Sequence, residues 1–323
     1  MFQKSYILLI VGVGSIGFRH FQSLSKLKFN NEIHILDKAD ALKKFKKKNI
    51  KIITKNIYLH KTIKTIPAKI DLAIISTNSD VRANITQILI NRTKTKFIIF
   101  EKFLFQKKED YIKIIKNLKK KKIISWVNCQ RRAIPCYIFL KKQFYKKKIE
   151  MTISGSNWGL TSNSIHFLDL FFYLRGKNCQ IKSIENNLEN KIIQSKRRGF
   201  IDLFGKISIT FIDGSKVVFV NTNYKMKKLN IKIKYKNKIF KIFEKEKKIK
   251  VKIINKGRVH LRDFKNYFVS KISGKIVKQI LLSKKTLLPS ISESTKYHLI
   301  LLKIFISHIE KLKGYKIKRC LVT

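Results

Sequence analysis

The sequence predicts an α/β fold: an N-terminal doubly wound parallel sheet, then a C-terminal α+β domain with a large, mostly antiparallel sheet. Three observations carry this. A strand, a glycine turn and a helix follow one another at the start of the chain. Strand and helix signals then alternate up to about residue 125. Beyond about residue 145, short runs of alternating or β-branched residues take over. Strict alternation implies parallel strands with helices on both faces, and clustered short strands imply hairpins. A chain of 323 residues is expected to form two domains. Their expected bounds are 1–125 and 126–323, with the C-terminal helix able to pack back on the first.

The opening stretch organises the rest. Ile7 to Val11 is an apolar run of the kind that forms a buried parallel strand. Gly12-Val13-Gly14-Ser15-Ile16-Gly17 follows, and then Phe18, Phe21, Leu24 and Leu27 recur at helical spacing. This order is the context of the dinucleotide-binding, Rossmann-type turn. Gly12 allows the tight turn, Gly14 lets backbone N–H groups approach a pyrophosphate, and Gly17 lets the helix pack close to the strand. The N–H groups of Ser15 and Ile16 open the helix, whose positive end favours phosphate. A second strand, Glu32 to Leu36, ends at Asp37, twenty residues beyond Gly17. A carboxylate there accepts hydrogen bonds from ribose hydroxyls and disfavours a 2′-phosphate, while the neighbouring Lys38 offsets that. The expected cofactor is therefore NAD or NADP.

Further along, residues 39–49 form a lysine-rich helix or loop, and Ile50–Ile53 a short third strand. Ile70 to Ile75 is a buried strand ending in Ser76, Thr77 and Asn78, small polar residues suited to a ligand crevice. Val81–Leu89 and Asp110–Leu118 are expected helices, with strands at Lys96–Phe100 and Ile123–Val127. In the second domain, strands are expected at Ile149–Ser154, Ile181–Ile184, Gly205–Phe211, Lys216–Val220, Leu229–Tyr235 and Lys238–Phe243. Asp213-Gly214 marks a hairpin turn. Helices are expected at Ser162–Leu174 and from about Ser290 to Leu312, the latter with an apolar stripe of Leu299, Leu302, Phe305, Ile306 and Ile309.

The formal charge is +54, yet only eleven of the 73 basic residues are arginine. The lysines are spread along the whole chain among many Ile, Asn and Phe, while Ala, Gly and Pro are scarce. AT-rich codons account for that bias, which places lysine on most solvated faces. Such a field attracts polyanions at low salt, but no specific nucleic-acid partner is expected. Cys129, Cys136, Cys179 and Cys320 form no metal spacing, and no metal site is expected. They fit free thiols in a reducing compartment. The N-terminal apolar run is expected to be a strand rather than a signal segment, and no apolar stretch is long enough to span a membrane. A cytoplasmic protein is expected.

Several motifs together resemble the Gfo/Idh/MocA oxidoreductases, which include glucose–fructose oxidoreductase and inositol dehydrogenase. Glu101-Lys102 at a strand end resembles that family's Glu-Lys-Pro motif. Trp158-Gly159-Leu160-Thr161-Ser162-Asn163-Ser164-Ile165-His166 resembles its catalytic helix. Asn128, Arg131 and Arg132 lie in a strand end similar to its Asn/Arg segment, and Glu293 to His298 fit its closing helix. The resemblance spans nearly the whole chain. It implies hydride transfer between a nicotinamide and a sugar or nucleotide-sugar hydroxyl or carbonyl, and its Trp-Gly-Leu and Asn-Ser-Ile-His variant resembles members of surface-polysaccharide or sialic-acid-like sugar biosynthesis. It implies Lys102 and His166 as catalytic residues, Glu101 beside the cofactor, and a homodimer or homotetramer. An imidazole titrates near neutral pH and suits the base; an ammonium stabilises a developing alkoxide. Asn128, Arg131, Arg132, Trp158, Ser162 and Asn163 are the candidate substrate residues, with the arginines suited to an anionic group. Asp169, one turn after His166, reads as structural, and Glu189, Glu244 and Glu246 as solvated.

Three positions depart from the family pattern. Phe103 stands where the proline of Glu-Lys-Pro would be. Ser162 occupies the place of an acid four residues before His166, on one helical face with it. The strand-end histidine is missing, and Arg82 lies near its place. These departures motivate an alternative: a catalytically impaired nucleotide-binding or regulatory protein of the same fold. A third reading, polyanion binding, rests on charge alone.

Overall fold

The structure, a computed structural model, describes residues 5–48, 56–176, 179–224 and 228–323. The chain divides into two compact units: Met1–Gln130 with Phe268–Thr295, and Arg131–Tyr267 with Lys296–Thr323.

In the first unit the elements run β1 (Tyr6–Val11), α1 (Ser15–Leu24), β2 (Asn31–Leu36), α2 (Ala39–Lys48), β3 (Ile57–His60), β4 (Lys69–Ile75), α3 (Ser79–Arg92), β5 (Lys94–Phe100), α4 (Lys108–Lys120) and β6 (Ile124–Val127), strand and helix alternating except between β3 and β4. All six strands are parallel, in the order β3-β2-β1-β4-β5-β6. The sheet reverses direction of growth between β1 and β4, the topological switch point at which such sheets open a crevice. β1 shows why the sequence commits to this: Leu8, Leu9 and Ile10 are fully buried. Each such side chain contributes about 1.5–3 kcal/mol relative to exposure. The third strand expected at Ile50–Ile53 lies outside the described residues; the described strand in that place is Ile57–His60.

The second unit is built on α5 (Pro135–Phe144), β7 (Glu150–Ser156), α6 (Leu160–Arg175), β8 (Ile181–Gln194), β9 (Ile201–Phe211), β10 (Lys216–Thr222), β11 (Asn230–Tyr235), β12 (Lys238–Glu244), β13 (Lys248–Asn255) and β14 (Arg258–Lys265). Its eight strands run β14-β13-β12-β11-β7-β10-β9-β8. β7 and β10 pair in parallel and the other neighbours pair antiparallel. Asp213-Gly214 turns the chain between β9 and β10: Gly214 has φ +74° and its N–H donates to the Phe211 carbonyl at 2.8 Å. α6 packs on this sheet through aromatic rings, Phe171 on Phe211 at 5.2 Å and Phe172 edge-on to Phe211 at 5.4 Å.

Two helices close the chain. α7 (Val269–Ser283) belongs to the first unit, and α8 (Ile291–Lys313) begins in it and continues in the second. α7 crosses α1 closely at Gly274, where an added Cβ would meet the Ser23 carbonyl oxygen at 2.7 Å. The Gly274 N–H donates to Ser23 Oγ at 2.8 Å. Among the described residues no helix is long and apolar enough to cross a membrane.

Candidate active site

In the first unit, the three glycines of the turn have three different surroundings. Gly12 has φ +89°, and an added Cβ would lie 3.0 Å from the Thr77 nitrogen. Gly17 sits against the turn itself: a Cβ there would lie 1.9 Å from the Gly12 carbonyl oxygen. Beside Gly14 there is open space, with nothing within 4 Å of a Cβ. The helix therefore presents its first N–H groups, at exposed Gly14 and Ser15 and half-buried Ile16, to an open cradle. No side chain caps this terminus. A neighbouring cavity of about 320 Å³ is lined by Gly14, Ser15, Phe18, Asp37, Lys44 and Phe45, among others. Asp37 is fixed at it: Oδ2 accepts the Val13 N–H at 2.7 Å and Oδ1 the Lys38 N–H at 2.7 Å. Lys38 and Asn78 are exposed and Thr77 is half-buried. Ser76 is buried, and its hydroxyl donates to the Gly12 carbonyl at 2.7 Å, tying β4 to the turn. An open cradle of helix N–H groups beside a fixed carboxylate fits a dinucleotide's pyrophosphate and ribose.

The segment after β5 is anchored nearly residue by residue. Glu101 is buried, and its Oε1 accepts from His20 Nε2 at 2.8 Å and Asn128 Nδ2 at 2.5 Å. Behind it, His20 Nδ1 lies 2.8 Å from Ser273 Oγ of α7. Burial pushes the Glu101 carboxyl up, but the His20 hydrogen bond and charge, then the Asn128 amide, outweigh it. The group is held below the usual carboxylate value. Arg82 donates to the carbonyls of Phe103, Leu104 and Thr77. Tyr111 donates its hydroxyl to the Phe105 carbonyl at 3.0 Å, and Gln106 Nε2 donates to Ser79 Oγ at 3.3 Å. From Glu101 to Gln106, every residue but Lys102 is buried; Lys102 is half-exposed. The peptide bond between Lys102 and Phe103 is cis.

In the second unit, α6 makes a similar selection. Thirteen of its sixteen residues are buried, and the three that are not are Ser162, Asn163 and His166. His166 lies one turn beyond both Ser162 and Asn163, four and three residues on. The helix start is fixed by Asp202, whose Oδ1 accepts the Thr161 N–H at 2.9 Å. Ser162 Oγ donates to the Gly159 carbonyl at 3.3 Å, and Asn163 Nδ2 donates to the Trp158 carbonyl at 2.6 Å. Trp158 packs edge-on to Phe167 and donates its indole N–H to the Val220 carbonyl at 2.8 Å.

Both candidate arginines have carboxylate partners within the second unit. Arg132 forms a buried two-point pair with Asp169, at 2.8 and 2.6 Å. Asp169 is completely buried, as a structural reading of it expects. Arg131 lies over the Phe167 ring at 4.4 Å and pairs with Glu244 at 3.2 and 2.8 Å. Glu244 also accepts the Tyr137 hydroxyl. It is thus not the solvated residue its charged surroundings imply. Burial raises the Glu244 carboxyl, but the Arg131 charge and hydrogen bonds from Arg131 and Tyr137 bring it below the usual range. Sequence reasoning passed over His20, although it shares the buried face of α1 with Gly17, Phe21 and Leu24. Ser273, 253 residues away from His20, left no local signal.

The class defined by these two units is an α/β dinucleotide-type domain joined to a second domain on a large open sheet, the fold of the Gfo/Idh/MocA oxidoreductases. Solved structures share it. UDP-N-acetylglucosamine 3-dehydrogenase GnnA from Acidithiobacillus ferrooxidans aligns with a TM-score of 0.73 at 11% identity, covering 93% of this chain and 97% of that one. A dehydrogenase (MviM) from Clostridium difficile aligns at 0.71 and 17% identity, covering 94% and 100%. The super-repressor mutant of Gal80p from Saccharomyces cerevisiae aligns at 0.73 and 14% identity, covering 98% of each chain. No family model and no curated protein matches the sequence. At these identities the likeness establishes the fold.

Proposed function

We propose that this chain is a nicotinamide-dependent oxidoreductase that moves a hydride between NAD or NADP and a sugar or nucleotide-sugar. The observation that carries the reading is the selective opening of two otherwise buried elements. α6 is unburied only at Ser162, Asn163 and His166, and the segment Glu101 to Gln106 only at Lys102. All four are polar, half-buried residues on elements whose other residues are buried. The fold shared with a UDP-sugar dehydrogenase supports the same reading.

In this reading the N–H groups of Gly14, Ser15 and Ile16 hold the pyrophosphate, Asp37 the ribose hydroxyls, and Thr77 and Asn78 border the bound cofactor. Ser76 supports the turn. The nicotinamide, when bound, supplies the hydride acceptor. Lys102 Nζ holds the substrate oxygen and stabilises its developing negative charge. His166 takes the hydroxyl proton, and the carbon that loses its hydride becomes a carbonyl. Ser162 and Asn163 hold neighbouring hydroxyls, with no charge to stabilise the imidazolium. Glu101, Asn128 and His20 keep the Lys102 turn in place. Arg131, Arg132 and Trp158 support α6, so this assignment gives the substrate no arginine partner. The exposed face of the large sheet is where a homodimer or homotetramer would form.

Ser162 in place of an acid, together with the fold shared with Gal80p, favours one second reading: a regulatory protein that binds the dinucleotide without turnover. Titration with NADH and NADPH, followed by tryptophan fluorescence, tests the common part. A panel of sugars and nucleotide-sugars separates the two. Turnover abolished by His166→Asn supports the enzyme; cofactor binding with no turnover on any substrate supports the regulator.

A further inference from the structure

We propose that Arg82 is the positioning residue for Lys102, replacing by hydrogen bonds the backbone constraint that the missing proline would supply. This rests on the reading of Lys102 as the group that holds the substrate oxygen. Phe103 follows Lys102, so no pyrrolidine ring limits the chain there. β5 ends at Phe100, so the carbonyls that follow lie beyond the sheet's ladder. Buried carbonyls require donors. Arg82 supplies them from the first turns of α3. Arg82 is 1% exposed. Nη1 donates to the Phe103 carbonyl and, at 3.0 Å, to the Leu104 carbonyl, while Nη2 donates to the Thr77 carbonyl.

These three acceptors identify what is held together. Phe103 and Leu104 are the two residues after Lys102. Thr77 follows β4, and its backbone nitrogen borders the space that Gly12 leaves open. One guanidinium therefore ties the strand end beside the nucleotide turn to the strand end that carries Lys102. The planar fork can reach three carbonyls in fixed directions, which an ammonium cannot. Arg82 touches no reacting atom; it acts through the direction in which Lys102 leaves the backbone.

The test is competitive acetylation of the full chain with acetic anhydride across pH, read by mass spectrometry, with Lys94 at the other end of β5 as internal reference. Arg82→Lys and Arg82→Met are compared with the unchanged protein. The expected result is a change of roughly threefold or more in the Lys102-to-Lys94 labelling ratio, with a displaced pH midpoint, in both variants. Added methylguanidinium should restore the profile of Arg82→Met. Unchanged Lys102 labelling in folded variants overturns the proposal. If Arg82→Met does not fold, Arg82→Lys, which keeps the charge and the stem, decides alone. The readout needs no substrate. A sugar panel without turnover removes the enzyme reading and leaves this result standing, and the converse holds equally.

Discussion

Gly14→Ala separates a turn that holds a nucleotide from a turn that merely folds. Gly14 is the residue preceding α1, with φ −61° and ψ −169°, a conformation open to alanine. An added Cβ meets nothing within 4 Å. Two small effects on stability oppose each other. Alanine is a poorer N-cap than glycine, but it reduces the entropy of the unfolded chain by about 0.4–1 kcal/mol. The net change should stay within about 0.5 kcal/mol, a shift of roughly 2 °C or less in thermal midpoint. Binding should respond quite differently. The methyl occupies the space through which a pyrophosphate approaches the helix N–H groups. Loss of one charge-assisted hydrogen bond costs about 1.5–3 kcal/mol, so affinity should fall roughly tenfold to a hundredfold. Differential scanning calorimetry and fluorescence titration with NADH and NADPH measure the two quantities on one preparation. Cofactor affinity unchanged within about twofold, in a protein of unchanged stability, would refute the assignment of the turn.

The companion change Gly17→Ala should behave oppositely, because its Cβ would lie 1.9 Å from the Gly12 carbonyl oxygen. Overpacking of this kind costs about 1–3 kcal/mol, visible as a lower urea midpoint even without cofactor. Asp169→Ala leaves the buried Arg132 guanidinium without its two-point partner and should cost about 3–5 kcal/mol in urea denaturation. An Arg132→Leu, Asp169→Leu double variant that loses as much would show that the charge pairing is not the cause. His34 Nδ1 and His60 Nε2 lie 2.9 Å apart, and burial, then for His60 the His34 charge, lowers both from the usual histidine value, against an opposing pull on His34 from Glu32. The unfolded chain therefore binds more protons as pH falls below about 6.5. Stability is present above that value and declines through it toward the lowered folded values. The urea midpoint should drop on acidification from about pH 7.5 to 5.5, and His60→Asn should flatten the drop. An equally steep decline in that variant would locate the effect elsewhere.

Where local chemistry repeats at a fixed spacing, the fold could be read in advance. The glycine turn is the clearest case: tight turn at Gly12, open approach at Gly14 and close packing at Gly17 each correspond to a distinct environment in the structure. Apart from β3, the parallel strands were legible because burial on both faces writes continuous apolar runs such as Ile7 to Val11. β8 was legible only over its first residues. It is an edge strand, mostly exposed, with a register shift between Leu188 and Ile192, so it carries no hydrophobic period. β13 does alternate, with Ile249 and Val251 buried between lysines, but in so lysine-rich a chain that pattern resembles a solvated run. At the site, the shared face of Ser162 and His166 on α6 followed from their four-residue spacing. What holds Lys102 was not legible. Arg82 meets Phe103, His20 meets Glu101 and Ser273 meets His20 across 21, 81 and 253 residues of sequence, and no local period records such pairs. Arg131 and Arg132 could be singled out by residue type, but Glu244 and Asp169 lie 113 and 37 residues further on.

The most direct test of the account is turnover with paired variants: formation of reduced nicotinamide over a panel of sugars and nucleotide-sugars by the unchanged protein, Lys102→Met and His166→Asn. The account predicts that at least one carbohydrate reduces the cofactor, and that either substitution lowers kcat by roughly a hundredfold or more with cofactor affinity kept within about threefold. Full turnover in both variants, or saturable cofactor binding with no carbohydrate oxidised, would contradict it.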